Sequence, residues 1–213
     1  MIRILLADDH TLVREGLKQI LASAADIEVA GEAATGDEAL ALVKSNDYDL
    51  ALLDLSMPGL AGIDLIKRLK LERPRLRILV LSMHGEAQYA ARALKAGASG
   101  YLTKDSASGE VVGAMRKVAA GGVHISEAAA AQLVAGAGPR GDAPLHAALS
   151  DREFEVFRQL VAGRGLTEIA ERLHLSVKTV STHKARLLDK MNMASTAELV
   201  RYAVEHRLLD DQP

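Results

Sequence analysis

Three carboxylates and a lysine stand at positions in this chain from which they could act together. Asp8 and Asp9 follow the apolar run IRILLA, Asp54 closes the run LALL, and Lys104 follows GYLT. A carboxylate at the edge of an apolar core costs several kcal/mol unless its pKa shifts or it meets a cation. Three of them brought together repel one another, and they stay ionised at neutral pH only where cations hold them. Hard oxygen ligands suit Mg²⁺, which takes one or two carboxylates, keeps several waters and completes its octahedron with phosphate oxygens. Lys104 supplies a second positive charge. A phosphate donor docked in such a place would present its phosphorus to a carboxylate oxygen, with metal and lysine neutralising the developing charge. Asp54, alone at the end of its run, is the natural nucleophile.

Those positions matter only if the fold brings them together. From Met1 to about Gly122 short apolar runs (IRILLA, IEVAGEA, LALLDL, RILVLS, SGYL) alternate with segments of helical period such as Leu12 to Leu21. That alternation predicts five parallel strands with five helices packed on both faces of the sheet. In an open parallel sheet, functional groups converge beyond the carboxyl ends of the strands, where strand order reverses. Read in that way, the strand ends aim Asp8, Asp9, Asp54, Ser82 and Lys104 at one crevice. His10 and His84 flank it and receive no role.

The remaining composition excludes several classes. With 213 residues and a net charge near −2, the chain is long enough for two modest domains, and its overall charge says nothing about a polyanionic partner. It has no cysteine, so disulfides and thiolate metal sites are excluded. The first apolar run is cut short by Asp8 and Asp9, which is wrong for a signal peptide, and no run approaches the roughly 18 residues of a membrane span. The expectation is a soluble, cytoplasmic protein.

After Gly121-Gly122 the pattern changes, through an alanine-rich piece into GAGPRGDAP, and residues 123–148 read as a linker. Four helical segments follow over 149–213. Ser150 with Glu153, and Ser195 with Glu198, are capping boxes that open the first and last. Between them, Leu166–Leu173 and Val177–Met191 are separated only by His174, Leu175 and Ser176, a helix-turn-helix pattern with Ser176 as N-cap. In the second of these helices Val177, Val180, Leu187, Leu188 and Met191 recur at core spacing. The opposite face carries Lys178, Thr179, Ser181, Thr182, Ala185 and Arg186, with Lys184 at its margin. Cations there can neutralise phosphates, while small side chains let a helix approach base edges in the major groove of double-stranded DNA. In the last helix, Leu199, Val200 and Ala203 form a core stripe, and Val204 and Leu208 are expected at the surface.

These motifs carry a resemblance. ILLADDH, LLDLSMPG, LSMH and YLTKD at their intervals resemble the receiver domain of bacterial two-component response regulators over residues 1–122. LSDREFEVFRQLVAG followed by LTEIAERLHLSVKTVSTHKARLLDKMN resembles the LuxR-type DNA-binding domain. Together they resemble the NarL/FixJ subfamily. The resemblance implies a flavodoxin-like receiver joined to an all-α, four-helix output domain. It implies Asp54 as phosphoacceptor, and Mg²⁺ held by Asp8, Asp9, Asp54 and the Ser56 carbonyl. Ser82 and Tyr101 correspond to the switch pair and Lys104 to the switch cation. The implied partners are a sensor histidine kinase, double-stranded DNA and, when active, a second copy of the chain. Gly165 stands where a serine often caps the scaffold helix. Lys184 stands where many members have an apolar residue.

Two other readings compete. An aspartyl phosphatase of the haloacid dehalogenase kind would want a carboxylate two residues after the nucleophile, and that position is Ser56. A regulator that works without phosphorylation would not need Asp8, Asp9, Asp54 and Lys104 intact.

Overall fold

The computed structural model describes residues 1–57, 60, 62–82, 87–104, 106, 108–127, 130–131, 134, 144–206 and 208. His84, the Pro58-Gly59 turn and the stretch 136–143 lie outside the described residues. Two compact units divide the chain, residues 1–132 and 133–213.

The first unit is a five-stranded sheet of order β2-β1-β3-β4-β5, every neighbouring pair parallel, formed by β1 (Ile2–Ala7), β2 (Ile27–Ala33), β3 (Leu50–Leu53), β4 (Arg77–Ser82) and β5 (Gly100–Thr103). The helices between and after them are α1 (Thr11–Ala22), α2 (Gly36–Ser45), α3 (Gly62–Glu72), α4 (Ala87–Lys95) and α5 (Ser108–Ala119). Five strands and five helices were expected here and are found. All four residues of β3 are buried, which is why that strand reads as an unbroken aliphatic run rather than an alternation. On one face Ile4, Leu6, Leu50, Leu52, Leu79 and Leu81 pack with Leu17 and Leu21 of α1 and Met115 and Val118 of α5.

Connections are tied down by specific chemistry. Thr35 caps α2 by accepting the Glu38 N–H, and the Glu38 carboxylate accepts the Ala34 N–H at 2.8 Å. Gly36 has no side chain because its backbone lies against the Leu60 carbonyl; a Cβ there would sit 1.6 Å from that oxygen. This contact packs the loop that follows Asp54 against the start of α2.

The second unit holds a 3₁₀ turn (Leu145–Ala148) and four helices among its described residues: α6 (Asp151–Val161), α7 (Leu166–Arg172), α8 (Val177–Lys190) and α9 (Thr196–Glu205). Phe154 and Phe157 stack with centroids 5.9 Å apart in a core that includes Ile169, Val180, Leu187, Met191 and Leu199. The turn between α7 and α8 is compact because His174 takes the left-handed conformation (φ 51°) and Leu175 N–H reaches back to the Ala170 carbonyl. Asn192 (φ 52°) closes α8 in the same way, with Met193 N–H on the Leu188 carbonyl. Ser176 caps α8 by accepting the Thr179 N–H at 3.0 Å. Gly165 caps α7 without a side-chain bond.

Four details depart from expectation. At Ser150 both halves of the capping box form, as expected. At Ser195 the serine accepts the Glu198 N–H, but the Glu198 carboxylate takes the Ala194 N–H, one residue further out. Val177 is exposed: it is the first residue of α8, where the apolar stripe runs past the end of the core. Leu208 is buried, because its N–H bonds the Ala203 carbonyl and folds the chain back over α9. The ends of the segment read as linker also make ordered contacts. His124 exchanges backbone hydrogen bonds with Ser99 and Tyr101 beside β5, and His146 in the 3₁₀ turn is buried with Nδ1 2.8 Å from the Tyr202 hydroxyl.

Candidate functional site

Each residue at the crevice is placed by one ladder hydrogen bond beyond the end of its strand. Asp8 N–H donates to the Ala33 carbonyl of β2, Asp54 N–H to the Ala7 carbonyl of β1, and Lys104 N–H to the Ser82 carbonyl of β4. The chain leaves β1 for β2 on one side and enters β3 on the other, so Asp8 and Asp54 sit side by side where the strand order reverses. Lys104 comes from two strands away, a span of about 10 Å at the usual strand spacing. The four-carbon stem of a lysine covers part of that distance; a shorter cation would stop over β4.

The charged atoms meet at hydrogen-bonding distance. Lys104 Nζ lies 2.7 Å from Asp8 Oδ2 and 2.8 Å from Asp54 Oδ2, and all three side chains are almost wholly buried. The other Asp54 oxygen, Oδ1, accepts the Ser56 N–H at 3.1 Å. Burial raises the Asp54 pKa above the usual carboxylate range, and the Lys104 bond and the Ser56 amide only partly offset it. Burial alone would lower Lys104, but its bonds to Asp54 and Asp8 outweigh that and hold its pKa above the ordinary lysine value. The lysine is therefore charged at any physiological pH.

Asp8, Asp9, His10 and Asp54 each offer a ligand atom within 4.8 Å of the others. The set is dominated by carboxylate oxygens, which suits a hard divalent cation. One of those oxygens, Asp9 Oδ1, is buried without a well-formed hydrogen bond, His10 Nδ1 standing 2.9 Å away, while Asp8 Oδ2 has only the ammonium that Lys104 shares with Asp54. Buried acceptors left in this state are what a bound cation would satisfy. The residues present fit Mg²⁺.

Ser82 is fully buried at the end of β4 and pairs in register with Thr103, next to Lys104. Tyr101 is buried on β5 opposite Val80. Ser56 is exposed, its amide committed to Asp54.

In the second unit, α8 buries Val180 and Leu187, with Met191 buried just after it. Lys178, Ser181, Thr182, Ala185 and Arg186 are exposed on its other side, while Thr179 and Lys184 are half-buried. Helices α6, α7 and α9 each carry an acidic residue in the first turn, and α8 has none. The positive pole at its N-terminus is thus uncompensated, as suits a helix end facing a polyanion.

Residues 4–116 match the family described as response regulator receiver domain, and residues 147–203 match bacterial regulatory proteins, luxR family. The response regulator UvrY of Escherichia coli (strain K12) is 36% identical over 209 residues, covering 98% of this chain and 96% of that protein. The response regulator GacA of Pseudomonas protegens is 36% identical over 211 residues, covering 99% of both. Among solved structures, the RcsB response regulator of Salmonella typhimurium superposes with a TM-score of 0.72 at 28% identity, covering 96% of this chain and 97% of that one. The same regulator bound to promoter rprA in the presence of the phosphomimetic BeF3⁻ gives 0.68 at 28% identity, over 96% and 99%.

This chain is a response regulator of the NarL/FixJ type.

The sequence placed Asp8, Asp9, Asp54, Ser82 and Lys104 of this response regulator at the ends of the first, third, fourth and fifth strands, and the fold brings Asp8, Asp54 and Lys104 into direct contact. It did not find Arg14, whose guanidinium donates to the Asp8 carbonyl at 2.6 Å and fixes the start of α1 against the crevice. An arginine four residues into a helix gives no signal of its own. The sequence pattern assigns His10 no role, yet its Nδ1 lies 2.9 Å from Asp9 Oδ1 and 3.2 Å from Asp8 Oδ1. In α8, the position of His183, three after Val180 and four before Leu187, marks the core side of the helix. Its Nδ1 is buried without a hydrogen-bond partner.

Proposed function

We propose that this response regulator accepts a phosphoryl group on Asp54 from a sensor histidine kinase and, so modified, binds double-stranded DNA through α8 as a dimer. The observation that carries the reading is the Asp54 carboxylate: buried, with one oxygen on the Ser56 amide and the other on Lys104. Asp8, Asp9, Asp54 and the Ser56 carbonyl would hold Mg²⁺, which when bound supplies charge neutralisation at the phosphoryl oxygens. An Asp54 oxygen attacks phosphorus as the donor's leaving group departs, and Lys104 exchanges part of its bond to Asp54 for the new phosphoryl oxygens. That exchange releases Asp8 and draws on the segment after β5. Ser82 and Tyr101, both buried beside it on β4 and β5, are the switch pair.

On α8, Lys178, Lys184 and Arg186 take phosphates while Thr179, Ser181, Thr182 and Ala185 approach base edges. The promoter complexes of RcsB are those of a protein of the same two-part build. The receiver spans residues 1–122, the output domain 149–213, and the linker 123–148 is anchored at both ends by His124 and His146. No described helix is long and apolar enough to cross a membrane, which accords with a cytoplasmic regulator. A phosphatase reading would need an acid at residue 56, and Ser56 cannot supply one; the reading is of a regulator, not an enzyme.

The test is labelling. Incubated with Mg²⁺ and a small-molecule phosphodonor, the protein should gain one acid- and base-labile phosphoryl group by mass spectrometry, and Asp54→Asn should gain none. Undiminished labelling of that variant sinks the assignment.

A further inference from the structure

The one large apolar side chain exposed on α8, among the described residues, is Val177. Core packing does not account for it: Val180 and Leu187 on the same helix are fully buried, while Val177 is 44% exposed. Helix chemistry does not account for it either. The first helical position favours proline, for its fixed φ, or an acid, for the positive pole, and a β-branched aliphatic residue supplies neither. An acid at this place would also repel a phosphate backbone.

What surrounds Val177 points to its use. At helical spacing it heads a row with Ser181 and Ala185, all exposed and none charged. Beside that row runs a second, Lys178, Thr182 and Arg186, also exposed and cationic at both ends. A helix that enters the major groove with its N-terminus leading puts its first residues against base edges, and lateral cations against the phosphates that wall the groove. In that groove only thymine offers a methyl group, and an aliphatic side chain is its complement.

We propose that Val177 is a specificity-determining residue that reads the 5-methyl group of a thymine at a fixed position of each half-site. The inference rests on the DNA-binding reading of α8. Val177 discriminates through its methyl groups, whereas Lys178 and Arg186 hold the helix in place without regard to sequence.

The test uses the full-length protein, phosphorylated with Mg²⁺ and a small phosphodonor. Duplexes are first selected from a randomised pool, and each thymine of the selected site is then replaced singly by deoxyuridine, which removes only the methyl. Wild-type protein should lose about fourfold in affinity at one position per half-site, the change expected for one methyl taken out of apolar contact. Val177→Ala should bind the thymine and deoxyuridine forms of that position equally, and should keep wild-type sensitivity at any other thymine. Val177 is exposed and alanine is the better helix former, so the variant folds. If the wild type is indifferent to every methyl, or if Val177→Ala retains the full discrimination, the proposal is overturned. Failure of the wild type to enrich any sequence would instead overturn the DNA-binding reading, and this inference with it.

Discussion

Lys104 Nζ stands 2.8 Å from Asp54 Oδ2, and the same nitrogen is 2.7 Å from Asp8 Oδ2. One buried cation thus serves two buried carboxylates that come from different strands. Each carboxylate costs several kcal/mol of desolvation, and the pair is tolerated because the ammonium is shared. Under the proposed function, a phosphoryl group arriving on Asp54 would compete for that ammonium and so link chemistry at β3 to the position of the chain after β5.

Lys104→Met removes the charge while keeping the length of the side chain. In chelator the receiver of this variant should be less stable by about 3–5 kcal/mol, the usual consequence of breaking a buried pair from one side. Mg²⁺ should then stabilise the variant more than the wild type, because the cation takes over the lysine's task. The measurement is hydrogen exchange across β1 and β3 with chelator and with Mg²⁺. An equal response of the two proteins to Mg²⁺ would show that lysine and metal do not share those oxygens.

Glu153 ties the start of α6 to the end of α8. Its Oε2 accepts from the Ser150 N–H at 2.8 Å and from Lys190 Nζ at 2.6 Å. Burial pushes this carboxyl up, but the Lys190 and Ser150 bonds outweigh it and leave the pKa below the ordinary 4.5. A depressed carboxylate stabilises the fold fully above its unfolded pKa and loses that contribution as pH falls through the folded value. The output domain of the wild type should therefore weaken below about pH 4.5 relative to Glu153→Gln, whose own stability at neutral pH is lower by about 1.5–3 kcal/mol. Parallel pH profiles for the two, from exchange of peptides spanning 150–191, would contradict this.

His183 adds a decline in the same direction, at higher pH. Burial lowers its pKa below 6.5, Arg152 of α6 and Arg186 of α8 push the same way, and Glu153 of α6 opposes them. Because the unfolded chain takes up a proton before the folded one, stability is highest above pH 6.5 and declines as pH falls from there toward the folded value. His183→Leu should remove that slope and leave the Glu153 transition at lower pH in place. Retention of a decline between pH 6.5 and 5.5 in the variant would assign it to another group.

Much of this was legible in the chain because the informative residues are local punctuation. Five aliphatic runs gave five strands, and polar residues just past their ends gave the crevice. Ser150, Ser176 and Ser195 marked three helix starts through side-chain bonds to amides only three residues on. What was not legible depends on partners distant in sequence. Glu153 reads as half of a capping box, and nothing near it announces Lys190. Val177 fits the core period of α8, yet a period cannot tell where the core ends. Leu208 looked free because only the fold shows the chain turning back over Ala203. His146 lay in a stretch read as linker, and its anchor, Tyr202, is 56 residues away.

Dimerisation on DNA is the remaining consequence. A single helix such as α8 buries too little surface for the affinity of a specific regulator, and helix-turn-helix proteins pair their heads on repeated half-sites. The seam we expect lies on α9, with Leu199 and Ala203 committed to the domain core and Val204 exposed at 58%. Leu208 is buried and cannot contribute, so Val204 alone remains of the two residues expected there, with Arg201 and Glu205 exposed on either side of it. Two recognition helices related by a two-fold axis meet DNA about 34–36 Å apart. Footprinting of the phosphorylated protein should show paired protections at that period on one face of the duplex. Val204→Glu adds a like charge on both sides of the seam; it should leave Asp54 labelling untouched, abolish the paired protections, and leave the protein monomeric on DNA by sedimentation. If the variant sediments as a dimer with paired protections intact, the seam lies on another surface.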